Sequence, residues 1–178
     1  NYYAPQLYDP RCNVIQALDA SGKPFATLVN YAVHPEVLGP GVGICSPDLI
    51  GPLHDRIKEL GGGTSIFMNS AQGGMVTADN RNPDGKSGDI RTWSECLRIG
   101  HLLAEEAMRI IQDAPAQSSP KLFCAAKKLS FPVDSPLLRA IMKASPNGIP
   151  GGDPAKATTQ LNVVNVGSAQ ILTIPGEA

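Results

Sequence analysis

The amino-acid sequence predicts an α/β fold with a mixed β-sheet core and flanking helices, and three observations carry that prediction. First, the apolar runs Leu28 to Val33 and Thr64 to Asn69 flank a segment in which Leu49, Ile50, Leu53, Ile57 and Leu60 recur at spacings of three and four. A crossover helix between two strands makes them parallel neighbours. Second, Cys12 to Ala20 alternates in polarity, and the turn residues of Asp19-Ala20-Ser21-Gly22-Lys23-Pro24 return the chain as an antiparallel hairpin. Third, Arg91 to Gln112 carries a long helical pattern.

Taken in order, the elements have local reasons. The run ending at His34 reads as a strand buried on both faces, and Pro35 stops its ladder because it has no N–H and disfavours a helical predecessor. Glycines in Gly39-Pro40-Gly41-Val42-Gly43 permit the close backbone approach of a loop beside a site. Ser46-Pro47-Asp48 predicts a helix start, with Ser46 as N-cap and Pro47 at the first helical position, while Pro52 marks a later start or a kink. Gly61-Gly62-Gly63 ends that helix. Asp79 to Asp89 has no periodicity and reads as a loop, with Asp79, Asp84 and Asp89 as a candidate cation cluster of irregular spacing. The helix from Arg91 offers Trp93, Leu97, Leu103, Ala104, Ala107, Met108 and Ile111 to the core. His101 with Glu105, and His54 with Asp55, fit solvated helix faces better than metal pairs. Ala114 to Pro120 is a connector, Lys121 to Val133 a strand, and Leu137 to Ala144 a short helix. Ser145 to Thr158 reads as a mobile Pro/Gly-rich segment, and Gln160 to Val166 with Ala169 to Ile174 as a hairpin. No internal domain boundary is assigned over residues 1–178.

Composition narrows the function classes. The 178 residues, 42% hydrophobic, suffice for one ordinary core. A net charge of −1 gives no reason to expect nucleic acid or an anionic membrane surface as partner. No apolar run is long enough to span a bilayer, and no secretory segment opens the chain. Cys12, Cys45, Cys96 and Cys124 lack zinc-framework spacing, which leaves buried thiols or disulfides open.

The chemistry collects at strand ends, where ligands bind in open α/β sheets. His34 follows one apolar strand directly, and Glu177 follows Ile171 to Ile174 through a Pro-Gly turn. Neutral imidazole and carboxylate are donors that catalytic zinc accepts. Four segments in this order, Leu28 to Pro35, Cys45 to Gly51, Asn69 to Met75 and Thr173 to Ala178, resemble the catalytic domain of the neutral/alkaline (non-lysosomal) ceramidases.

The resemblance implies that the chain is part of a larger catalytic domain with a zinc ion that activates water to cleave the amide of an N-acyl-sphingosine. It implies His34 and Glu177 as metal ligands, Asp48, Ser70, Gly73, Gly74 and Thr77 as catalytic-site residues, and a secreted or periplasmic location. It further implies a lipid or small-molecule N-acyl substrate, and partner segments of the same domain upstream and downstream that supply another histidine and a tyrosine. Asp48 reads as an acceptor for a histidine N–H or as a residue favouring the helix dipole. Val76 stands where the family has a serine, a departure that bears on substrate specificity because valine neither donates a hydrogen bond nor acts as a nucleophile. The other readings are a non-catalytic metal- or ligand-binding member of the fold, and an unrelated α/β domain whose His34 and Glu177 are structural.

Overall fold

A computed structural model of the chain describes residues 9–41, 43–71, 77–146, 149 and 152–175. The chain forms two compact units, the first ending at Pro115 and the second beginning at Ala116, so the division falls within the Pro/Ser connector. No helix among the described residues is long and apolar enough to cross a membrane.

In the first unit, β1 (Asn13–Leu18), β2 (Pro24–Tyr31) and β3 (Thr64–Asn69) form a sheet in the order β1-β2-β3. The first pair is antiparallel, with Ile15 opposite Leu28, and the second is parallel, with Leu28 beside Ile66. This is the mixed α/β core that the pattern predicts. Between β2 and β3 runs α1 (Ile50–Glu59), and after the 77–91 loop comes α2 (Trp93–Gln112). Both helices cover one face of the sheet: Val29 of β2 is enclosed by Leu53 and Ile57 of α1 and by Ala104 and Ala107 of α2. The expectation that β2 is buried on both faces needs correcting. Thr27 and Val29 are fully buried, whereas Leu28 on the other face is half-buried and its neighbour Ile66 is 46% exposed, because the described helices lie on one side.

Three local outcomes follow from backbone chemistry. The helix α1 starts at Ile50, later than Ser46-Pro47 predicts, because Asp48 adopts φ +52°. Pro52 is tolerated as the third helical residue, where an amide has no intrahelical acceptor to lose. The end of α1 is a Schellman motif: Gly61, at φ +79°, donates to Lys58 O, and Gly62 donates to Ile57 O. The glycine stop is therefore as the sequence predicts.

The inward face of α2 differs from the expected stripe. Cys96, Gly100, Ala104 and Ala107 are its buried small residues, while Trp93 and Leu97 are 48% and 47% exposed. Small side chains let α1 approach: a Cβ on Gly100 would lie 2.5 Å from Leu49 O and 2.9 Å from Leu53 N. Thr92 caps α2 by accepting from the Glu95 amide.

The second unit holds β4 (Leu122–Pro132), α3 (Pro136–Ala144), β5 (Lys156–Val166) and β6 (Ala169–Thr173), with an antiparallel sheet in the order β4-β5-β6. Ser135 caps α3 and Pro136 occupies its first position. The β5 strand begins at Lys156, inside the stretch expected to be mobile, because Ala157 and Thr158 pair with Phe131 and Ser130. The hydroxyls of Ser130 and Thr158 lie 2.8 Å apart. The strands leading to His34 and Asn69 share one sheet, as expected, whereas the strand leading to Ile174 belongs to the other.

Candidate functional site

The site is built where β2 and β3 end side by side. Tyr31 pairs with Asn69 as the last residues of a parallel ladder, so both following segments leave from one edge. Ser70 continues this registration by donating its amide to Tyr31 O at 3.1 Å. Farther on, His34 and Thr77 form an isolated parallel bridge. His34, Ser70 and Thr77, singled out by the sequence, thus belong to one strand-end edge. His34 and Ser70 are half-buried and Thr77 is exposed. Gly73, Gly74, Val76 and Glu177 lie outside the described residues.

The turn after His34 is held from several sides. The Glu36 amide donates to His34 O at 2.9 Å, and the Gly39 amide to Glu36 O at 3.0 Å. Val37 and Leu38 are buried with Val33, Leu49 and Cys96. Asp48, only 5% exposed, accepts the Val37 amide at 3.1 Å, the Leu38 amide at 2.9 Å and its neighbour Leu49 amide at 2.7 Å. A carboxylate at positive φ is thereby explained: the left-handed turn aims it back at three backbone donors, each costly to bury unpaired. Its described geometry is that of a structural acceptor for the His34 turn. Burial first, and then the Asp48 carboxylate beside it, push the Cys96 thiol up to about 11.

Two residues that the sequence reading missed complete this arrangement. Asn80, buried at 3% exposure, donates to Val37 O and to Ile90 O, and its own carbonyl accepts the Ile90 amide at 2.7 Å. It joins the His34 turn to both ends of the 79–90 loop. Glu36 accepts from the Thr77 hydroxyl at 2.8 Å. Neither has a periodic or motif signal; Asn80 lies in a loop rich in such residues, and Glu36 is one exposed acid among many.

Beside this edge lies a groove of about 910 Å³. Tyr31, Ala32, Val33, Leu49, Ile99, Leu102, Leu103 and Ile110 give it apolar walls, and Thr77, Asp79, Asn80, Arg81, Asp89, Arg98 and Glu106 supply polar groups. The charged groups are mutually compensated. Arg81 bonds Asp79 at 2.7 Å, Arg98 bonds Glu95 at 2.6 Å, and Arg109 bonds Glu106 at 2.7 Å. Their hydrogen bonds hold the Asp79, Glu95 and Glu106 carboxyls below their usual range.

The donor chemistry tests how a metal would fit. Among the described residues no three His, Cys, Asp or Glu side chains could together hold a metal ion. His34 offers one imidazole at the strand end, and the expected carboxylate donor, Glu177, is outside the described residues. The donor types suit zinc, and the described set is incomplete. The Asp79–Asp89 loop does not act as a cation cluster: Asp79 pairs with Arg81, Asp89 with Arg91, and Asp84 accepts the Lys86 and Ser87 amides. Glu105 is bonded to Arg56 at 2.7 Å, across from α1. His54 Nδ1 lies 2.8 Å from Ser65 Oγ and ties α1 to β3, and burial lowers its pKa against the opposing influence of Asp55. All four cysteines are thiols outside any disulfide, with Cys96 buried and Cys45 and Cys124 exposed.

No protein-family model matches the chain, and no curated protein matches it by sequence. Its fold is similar to that of the neutral ceramidase from Pseudomonas aeruginosa, with a TM-score of 0.70 and 15% identity. The match covers 96% of this chain and 35% of that one, so the chain spans about a third of the length of the ceramidase chain it matches.

Proposed function

We propose that the chain belongs to a zinc-dependent hydrolase of the amide bond in an N-acylated lipid, such as ceramide or a related N-acyl substrate, and that the protein is secreted or periplasmic. The observation that carries this reading is the shared carboxyl edge of β2 and β3, where His34 bridges Thr77 and where Val33 and Thr77 line an apolar-walled groove, in a fold similar to that of a neutral ceramidase. His34 and Glu177 would hold the metal, with further donors from elsewhere in the same protein. Bound zinc lowers the pKa of its water to near neutrality and polarises a carbonyl.

The chain's own residues then have distinct tasks. The walls from Ile99 to Ile110 accept an apolar chain and exclude water from it. Asp48 and Asn80 hold the turn that carries His34. Ser70 and Thr77 stand at the strand-end edge, and together with Gly73 and Gly74 of the family motif their hydroxyl and backbone groups would orient the amide. Exposed apolar side chains on α3, among them Leu137, Leu138 and Ile141, suit burial against other segments of a larger domain.

A second reading, a member that binds metal or ligand without catalysis, is favoured by Val76 in place of the family's serine. Metal content and amide hydrolysis measured on one full-length His34→Ala sample test the proposal. Loss of both is expected, because removing an imidazole donor destroys the site that acidifies the water. Full hydrolysis with zinc retained would remove His34 from the mechanism. Zinc in the wild-type protein without hydrolysis of any N-acyl lipid would favour the second reading.

A further inference from the structure

We propose that α3 and the basic residues around it dock the protein on an anionic lipid surface; the purpose of docking rests on the proposed lipid substrate, while the binding itself needs neither metal nor hydrolysis. The helix α3 is turned inside out. Its sequence, Pro136-Leu137-Leu138-Arg139-Ala140-Ile141-Met142-Lys143-Ala144, puts Leu137, Leu138 and Ile141 on one face and Arg139 and Lys143 on the other. A helix of this pattern ordinarily buries its apolar face. Here Leu137, Leu138 and Ile141 are each more than half exposed, and no residue of the helix is buried. The side that the chain holds is the polar one. Arg139 Nε donates to Val133 O, and Ser135 caps the first turn by accepting the Leu138 amide. These bonds leave the apolar stripe facing outward.

Charge selects what covers that stripe. The net charge of −1 conceals an opposition between the two units: residues 1–115 carry nine Lys and Arg against thirteen Asp and Glu, whereas residues 116–177 carry six against three. Every arginine of the first unit is in an ion pair. In the second unit Arg139 has a loose pair with Asp134 at 3.9 Å, and Lys121, Lys127, Lys128, Lys143 and Lys156 meet no acid among the described residues. Two of these lysines adjoin the helix. Lys143 lies in its last turn, and Lys156 stands opposite Pro132 at the end of the β4–β5 ladder from which the chain enters α3. Unpaired cations beside an exposed aliphatic stripe match negative headgroups above hydrocarbon. Protein interfaces are depleted in lysine, and nucleic acid offers nothing to three aliphatic side chains. Nine residues are too few to span a bilayer, so α3 lies in its interface with Arg139 and Lys143 toward the headgroups.

The test is co-sedimentation of the full-length protein with vesicles of phosphatidylcholine, alone or mixed with phosphatidylglycerol, in the absence of substrate. Thermal unfolding and hydrolysis of a detergent-dispersed N-acyl lipid are measured on the same samples. Wild type should bind the mixed vesicles in preference to the neutral ones, and salt should weaken that binding. Lys143→Gln combined with Lys156→Gln should weaken it by about 30-fold, at about 5-fold for each cation. Leu137→Ser combined with Ile141→Ser should weaken it by at least about 10-fold. Both double variants should keep the wild-type thermal midpoint and the hydrolysis of dispersed lipid.

Absence of wild-type binding to mixed vesicles, or a lysine variant that binds as well as wild type, would overturn the docking. So would a serine variant with a lowered thermal midpoint and unchanged vesicle binding, because another segment of the protein would then cover α3. A wild type that hydrolyses N-acyl lipid but binds no vesicles defeats the docking alone. A wild type that binds vesicles but hydrolyses no N-acyl lipid defeats the proposed function and leaves the docking in place.

Discussion

Gly100→Ala should destabilise the protein, although alanine is the better helix former. An exposed helical glycine replaced by alanine gains about 1 kcal/mol in propensity. At Gly100 the added Cβ would lie 2.5 Å from Leu49 O, 2.8 Å from Pro52 Cβ and 2.9 Å from Leu53 N. Two of those atoms are backbone, so no side-chain rotation relieves them, and α1 must move away from α2. Overpacking of this kind costs roughly 1 to 3 kcal/mol, with backbone contacts toward the upper figure. Set against the propensity gain, the net loss is about 1 to 2 kcal/mol. Urea denaturation of the variant beside wild type reads this as a lower midpoint at unchanged slope. Gly88→Ala, where a Cβ meets nothing within 4 Å, is the control and should be close to neutral. Displacing Leu49 also loosens its neighbour Asp48, so amide exchange at Val37 and Leu38 should quicken in Gly100→Ala alone. A Gly100→Ala protein as stable as wild type would refute the close approach of α1 and α2 at this seam.

Other consequences can be measured on the same protein. Asp48→Ala leaves three amide donors without their acceptor, and at ~1 kcal/mol or more for each should cost about 3 kcal/mol by urea denaturation; an unaffected midpoint would contradict the buried acceptor role. The Cys96 thiol, raised to about 11 from an ordinary 9.0, is protonated more firmly in the folded than in the unfolded state. Its contribution is fully present below about pH 9 and is lost as pH rises toward 11, by up to about 3 kcal/mol. Stability of Cys96→Ala and wild type followed across that window should converge as pH rises, and parallel curves would count against the shift. Maleimide labelling at pH 8 should modify Cys45 and Cys124 quickly and spare Cys96 until the protein unfolds.

Elements governed by neighbours in the chain were legible in the sequence. The β3 strand occupies Thr64–Asn69 as its apolar run suggests, and the Gly61-Gly62 stop of α1 follows from the left-handed conformation such a stop requires. The hairpin into β2 and the parallel placement of β3 came from turn chemistry and from the helix between the strands. The strand end itself needs correcting: Pro35 predicts a ladder running to His34, whereas β2 and its ladder with β3 end at Tyr31 and His34 makes only an isolated bridge to Thr77.

What the tertiary structure decided is which atoms meet across distance. Hydrophobicity along α2 favoured Trp93 and Leu97 for the core, yet the buried line is Cys96, Gly100, Ala104 and Ala107, since only small side chains admit the α1 backbone. The start of α1 depended on Asp48 turning its carboxylate toward Val37 and Leu38, eleven and ten residues earlier. Asn80 acquires its partners forty-three and ten residues away, and Glu36 acquires Thr77 forty-one residues away. Local propensity carries no term for such meetings, because a hydrogen bond or a close backbone contact between distant segments exists only after the sheet and its covering helices have brought them together.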